Sequence, residues 1–170
     1  MNPSPNRLVS LDVFRGITIA GMTLGNNPGT WSAIYWPLEH AEWNGWTPTD
    51  LVFPFFLFIV GVSITLSLGR RVEEDAPKGP LYVKALKRAL IIFALGFFLN
   101  LYPHFDFATV RIPGVLQRIA VCYLITAVIF LSTKLRTQAI IAVALLLIYW
   151  IAMTEIAAPA YTAGDLTKEG

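Results

Sequence analysis

Apolar residues along the chain gather into five runs, separated by connectors rich in polar residues, glycine and proline. A helix that crosses about 30 Å of hydrocarbon needs roughly 17–25 mostly apolar residues and must satisfy its own backbone hydrogen bonds. The first run, 11–24, is interrupted near its start by Asp12 and Arg15. The second, 51–68, reads LVFPFFLFIVGVSITLSL without a charge, and Pro54 falls in its first turn, where a missing N–H costs least. The third, 86–102, begins among basic residues and ends at Asn100 and Tyr102, just before Pro103. The fourth, 113–131, carries Gln117 and Arg118 near its beginning, and the fifth, 139–153, is almost purely aliphatic until Tyr149 and Trp150 mark an interface. The pattern predicts an all-α integral membrane protein, a polytopic helix bundle with about five transmembrane helices.

The connectors then assign a direction. Cytoplasmic connectors carry the excess of Lys and Arg. Arg7 and Arg15 flank the first run; Arg70, Arg71, Lys78, Lys84, Lys87 and Arg88 lie between the second and third; Lys134 and Arg136 lie between the fourth and fifth. Ten of the 13 basic residues thus fall on one side, which puts the N-terminus in the cytoplasm and the connector 26–50 outside. A cleavable signal peptide does not fit, because charge breaks its apolar part and no small-residue cleavage site follows. The stretch 72–80, with Glu73, Glu74, Asp75, Pro77, Gly79 and Pro80, is expected to be a solvated loop. No repeat at a fixed period is visible.

Composition agrees with lipid as the solvent. The 170 residues are 55% hydrophobic and only 14% charged, against roughly 25% charged in soluble domains, and mean hydropathy is +0.59. Disorder and collagen-like repeats are excluded, and a net charge of +2 spread over apolar stretches gives no footprint for nucleic acid. Membrane lipid is the expected partner. The single cysteine, Cys122, sits in an apolar run and reads as a small core hydrophobe.

Candidate chemistry concentrates in the connector 26–50. It holds Trp31, Trp36, Trp43 and Trp46, four of five tryptophans, and His40, one of two histidines. Glu39 and Glu42 flank His40, with Asn44 and Asp50 close behind. Aromatic walls around an imidazole that a carboxylate can orient suit a base or nucleophile; an interfacial aromatic belt with a surface histidine is the other reading. Asp50 can equally be a carboxylate favoured by the start of the next helix. A metal site would need His104 and Asp106 of another connector to converge on His40, and none is assigned. Asp12 and Arg15 are spaced to pair on one helical face. Arg118 with Gln117 reads either as a snorkelling side chain or as a contact for an anionic group entering the bundle.

Several blocks in order, RLVSLDVFRG at 7–16, NNPG at 26–29, EHAEWNGWTPTDLVFPFFLFIVGVSI at 39–64 and RIPGVLQRIAVCYL at 111–124, resemble the bacterial branch of the heparan-alpha-glucosaminide N-acetyltransferase family. The resemblance implies transfer of an acetyl group from cytoplasmic acetyl-CoA to the amine of a glucosamine-type sugar on the outer side, by a multi-pass protein of the bacterial inner membrane. The family histidine of the H-A-x-W-N-G block falls on His40, either as a transient acetyl carrier or as the base that deprotonates the amine. Asn26, Asn44 and Asp50 are then candidates to orient His40 or hold the carbonyl oxygen, and Arg118 and Gln117 to meet the donor or a polar group of the bundle. The resemblance also implies that the chain is the N-terminal portion of a larger bundle. Isolated, it would be inactive and would leave Arg118 and Gln117 without the partners that a C-terminal half or a second copy supplies. A sugar transport or export component, or a non-catalytic assembly subunit, is the competing function.

Overall fold

A computed structural model describes residues 8–30, 32–41, 45–102, 105 and 114–155. Among them are five α-helices, α1 (Val9–Asn26), α2 (Val52–Glu73), α3 (Lys78–Leu101), α4 (Val115–Ser132) and α5 (Leu135–Glu155), two short 3-10 turns, Trp36–Leu38 and Pro48–Leu51, and no strand. Contacts divide the chain into two compact units, one of residues 1–59 with 142–170 and the other of residues 60–141.

In the first unit, α1 packs on the start of α2 through small residues. A Cβ on Gly21 would stand 3.6 Å from the Val52 side chain, and one on Gly25 would stand 3.1 Å from the Thr49 methyl group. This G-x-x-x-G spacing puts both glycines on one helical face, where two backbones can approach. Nearer the other end of α1, Phe14 meets Phe55 and Phe58 edge-on, with ring centroids 5.1 and 6.3 Å apart. Asp12 accepts a hydrogen bond from Arg15 at 3.1 Å, which is the local pair expected from their spacing. Thr18 and Thr23 donate their hydroxyls to the carbonyls of Phe14 and Ile19, so neither carries an unsatisfied donor into an apolar surrounding.

The core of the second unit lies among α2, α3 and α4. Ile64 and Leu68 of α2, Leu81, Ala85 and Ala89 of α3, and Tyr123, Ala127 and Leu131 of α4 form one buried cluster. The alanines keep α3 and α4 close, and Gly69 of α2 meets Phe130 in ordinary contact. The antiparallel pair is tied at one end by a hydrogen bond between Tyr82 and Ser132, 2.9 Å. Further along, Arg88 lies over the ring of Tyr123, 5.6 Å from its centroid, which gives a cation on an apolar helix an aromatic face to rest on.

Among the described residues three helical stretches, Pro48–Glu73, Val115–Ser132 and Leu135–Glu155, are long and apolar enough to cross a membrane. The expected spans 11–24 and 86–102 also form as helices, α1 and α3, but at lower apolarity. Asp12 and Arg15 dilute the short α1, and Lys84, Lys87 and Arg88 are turns of α3 itself. The loop expected at 72–80 is correspondingly shorter. Helix α2 continues through Arg70, Arg71 and Glu73, and α3 already starts at Lys78 with Pro80 in its first turn. Backbone hydrogen bonding carries a helix past the point where hydropathy changes, because long basic side chains reach water while their backbone stays helical.

Lipid as solvent also explains the surface. Helix α5 buries no residue at all, and Leu146 is 70% exposed. Cys122, expected in the core, is exposed on α4. An apolar run in a membrane helix does not say which face meets protein, since both faces are apolar.

Candidate active site

The connector between α1 and α2 is built backward from its last turn. Pro48 at the first position fixes φ for a tight turn, and Thr47 and Asp50 close a reciprocal cap around it. The Asp50 Oδ2 accepts the Thr47 backbone N–H at 3.0 Å and the Thr47 hydroxyl lies 3.1 Å from the same oxygen. Two further bonds fold the preceding segment onto this turn. The Thr47 hydroxyl donates to the Glu39 carbonyl at 2.5 Å, and the Thr49 hydroxyl donates to the Pro37 carbonyl at 3.0 Å. Thr47 and Thr49 are both buried. Gly25 against Thr49 seats the same turn on the end of α1.

This arrangement leaves Asp50 facing His40. Its Oδ1 lies 2.6 Å from His40 Nδ1, while Oδ2 also accepts the Ala41 backbone N–H at 3.1 Å. The hydrogen bond from His40, followed by those from the backbone of Thr47 and Ala41, holds the Asp50 carboxyl, which precedes the apolar run of α2, well below the usual carboxylate range. An ionised carboxylate only accepts, so Nδ1 carries the hydrogen, and the tautomer this selects is the one that leaves the Nε2 lone pair free. The His40 side chain is 66% exposed. It opens onto a cleft of about 340 Å³ lined by Trp36, Glu39, His40, Ala41, Gly45, Trp46 and Thr47. Gly45 adopts φ +104°, a backbone region open chiefly to glycine, so the chain can turn at the cleft wall.

Asp50 caps the turn before α2 with Oδ2 and meets the imidazole with Oδ1. Asn26 ends α1 with an exposed side chain, and no hydrogen bond joins it to His40 or Asp50 among the described residues. Asn44, along with Trp31, Glu42, Trp43, His104 and Asp106, lies outside the described residues. Trp36 and Trp46 are two of the four expected indole walls and both line the cleft. No cluster that could hold a metal ion occurs among the described residues. In the second unit, Gln117 is buried and Arg118 is exposed on the first turns of α4. Thr47 was missed as a site residue; the signal for it was the T-x-x-D spacing to Asp50, a cap pattern that also brings the hydroxyl to the shared carboxylate.

Fold and site together define a polytopic helical membrane protein that carries a carboxylate-oriented imidazole in an indole-walled cleft between two helices. Residues 7–166 match the model of the family described as "Heparan-alpha-glucosaminide N-acetyltransferase, catalytic", and the chain belongs to that family. It is 40% identical over 130 residues to heparan-alpha-glucosaminide N-acetyltransferase of Homo sapiens and 38% identical over 131 residues to that of Mus musculus. Each match covers 74% of this chain and 19% of the relative, so the chain spans about a fifth of the length of these proteins.

Proposed function

We propose that this chain carries the proton-handling centre of a transmembrane acetyltransferase, which moves an acetyl group from acetyl-CoA to the amine of a glucosamine-type sugar. The observation that carries the proposal is the 2.6 Å contact between Asp50 Oδ1 and His40 Nδ1. A glucosamine amine is largely protonated at neutral pH and cannot attack a thioester in that form. His40 Nε2 removes the proton, the amine nitrogen bonds to the acetyl carbon, and the carbon–sulfur bond breaks. The imidazolium then returns the proton to the leaving thiolate, the ring, neutral again, takes the second proton from the acylated nitrogen and passes it to solvent, and Asp50 stabilises the positive ring each time it forms. If His40 instead attacks first, the same Nε2 takes the acetyl group, thiolate leaves, and the amine displaces the acyl group from the ring. Trapping of a labelled acetyl-protein in the absence of acceptor separates the two routes.

The walls suit this acceptor, since Trp36 and Trp46 offer flat faces to a sugar ring and Glu39 offers a carboxylate to an ammonium group. Loop charges support an orientation with the N-terminus in the cytoplasm and His40 on the outer face of a bacterial inner membrane. The acyl group would then cross the membrane while the coenzyme stays on the cytoplasmic side. Membranes bearing the full-length gene product, incubated with labelled acetyl-CoA and glucosamine, are expected to form N-acetylated sugar, and His40→Ala to abolish it. Near-normal turnover in that variant, or uptake of unmodified sugar by the parent protein, would favour the transport reading instead.

A further inference from the structure

Two carboxylates stand near the imidazole, and they are differently engaged. Asp50 has donors on both oxygens, His40 Nδ1 on one and the N–H groups of Ala41 and Thr47 on the other. Glu39 lines the cleft and is exposed, and its carboxylate meets no donor among the described residues. Trp36 and Trp46 line the same cleft at 67% and 66% exposure. The face of an indole carries negative potential and attracts a cation placed over it. No basic residue offsets this: the sequence holds neither Lys nor Arg between Arg15 and Arg70, whereas Glu39, Glu42 and Asp50 all fall in that interval. A free carboxylate between indoles, in a connector without a cation, is a setting for a positively charged ligand.

The reacting amine is the wrong group to fill it. That nitrogen must lose a proton before it can attack a thioester. A neighbouring carboxylate favours the protonated form of an amine, and an indole face does the same. Acting on the reacting nitrogen, Glu39 and the tryptophans would hold it in its unreactive state. They assist only if they hold a different amine, one that keeps its charge throughout the reaction. Glu39 directly precedes His40, so the two side chains are placed to serve neighbouring residues of one sugar chain.

We propose that the acceptor is a glucosamine linked to a second amino sugar with a free amine, and that Glu39, with the indole faces of Trp36 and Trp46, holds this second ammonium while His40 acts on the first. A neutral neighbouring sugar forfeits the contact, and an acidic one, such as a uronate, is repelled. This assignment of the acceptor class rests on the acetyl-transfer reading above. Glu39 is a specificity-determining residue here and takes no part in the proton chemistry.

The test supplies membranes bearing the full-length gene product with acetyl-CoA and three disaccharides that share a terminal glucosamine. Its neighbour is glucosamine, N-acetylglucosamine or glucuronate, and product is counted at the terminal amine alone. At low ionic strength kcat/KM is expected to fall in that order, by about two- to fivefold at each step, the range that exposed ion pairs span. Added salt should compress the order. Glu39→Gln is expected to flatten it, Glu39→Lys to place the glucuronate disaccharide first, and Trp46→Leu to narrow the advantage of the cationic sugar. Equal kcat/KM on the three sugars in the parent protein, or an order that Glu39→Gln leaves intact, overturns the proposal. Equilibrium binding of the same sugars without acetyl-CoA separates it from the reading it rests on. The same order in binding with no acetylated product would remove the catalytic reading alone, while binding of none of the three sugars would overturn the acceptor class as well.

Discussion

In the proposed reaction the chemistry at His40 depends on which ring nitrogen holds the proton, and Asp50 Oδ1, 2.6 Å from Nδ1, would decide it. Replacing Asp50 with Asn keeps the size but puts an amide where an acceptor stood, so the ring loses both its preferred tautomer and the charge that stabilises its protonated form. Turnover in Asp50→Asn is expected to fall by about 10²–10⁴, the range spanned by acid–base catalysis, with a smaller change in KM. Asp50 is also a pH gauge for the connector. Its carboxyl is depressed, so its contribution to the folded turn is complete above the ordinary carboxylate value near 4 and is lost only as pH falls through the lowered value. Limited proteolysis of the connector should therefore be unchanged between pH 8 and 5 in the parent protein. Asp50→Asn should be nicked faster throughout that range, and acid sensitivity of the parent between pH 7 and 5 would contradict the assignment. Gly45, at φ +104° with open space around it, makes a complementary test. Ala there meets no atom and suffers only backbone strain of about 1–2 kcal/mol, read as a lowered unfolding temperature.

Helix contacts set how far a perturbation travels. An added methyl group on Gly25 would press within 3.1 Å of Thr49, in the turn that holds Asp50, whereas one on Gly69 would stand 3.7 Å from Phe130 in ordinary contact. Gly25→Ala is expected to lower acetyl transfer severalfold by shifting that turn, and Gly69→Ala to leave both activity and melting temperature near the parent's. Equal effects would show that the seat of the turn on α1 does not position the site. Gly96→Ala is the severe case, since its methyl group meets Leu116 Cβ at 2.6 Å. A loss of about 1–3 kcal/mol from overpacking is expected in denaturant unfolding of the detergent-solubilised protein.

At the scale of the whole molecule, the question is the side on which each connector lies. Ser32 and Ala76 sit in successive connectors on either side of α2, and Cys122 is the one native cysteine. With Cys122 replaced by Ser, a cysteine at Ser32 is expected to react with a membrane-impermeant maleimide on intact cells, and one at Ala76 only after lysis. The reverse pattern would place His40 in the cytoplasm and remove the reason for moving an acyl group across the bilayer.

The five helices were legible in the chain because lipid imposes a crude rule, a long apolar run with its own hydrogen bonds, which needs no knowledge of neighbours. Their ends were less so: α2 and α3 run on through Arg70, Arg71, Lys84 and Lys87, since hydropathy reports the solvent and not the backbone. His40 stood out as a lone imidazole among indoles, and its role came from family blocks. That Asp50, ten residues away, is its partner was one option among several nearby acids. The choice was made by the Thr47 and Thr49 hydroxyls, which fold residues 37 and 39 onto the turn. Likewise Gln117 and Arg118 were equal candidates on paper, yet one is buried over Gly114 and the other exposed. Sequence alone determined that this protein lives in a membrane as helices and holds an imidazole in a polar connector, because composition and periodicity are local properties. Only the tertiary structure decided which carboxylate meets that imidazole and which helix face is protein and which is lipid, because both turn on how the chain folds back on itself, which composition and periodicity do not report.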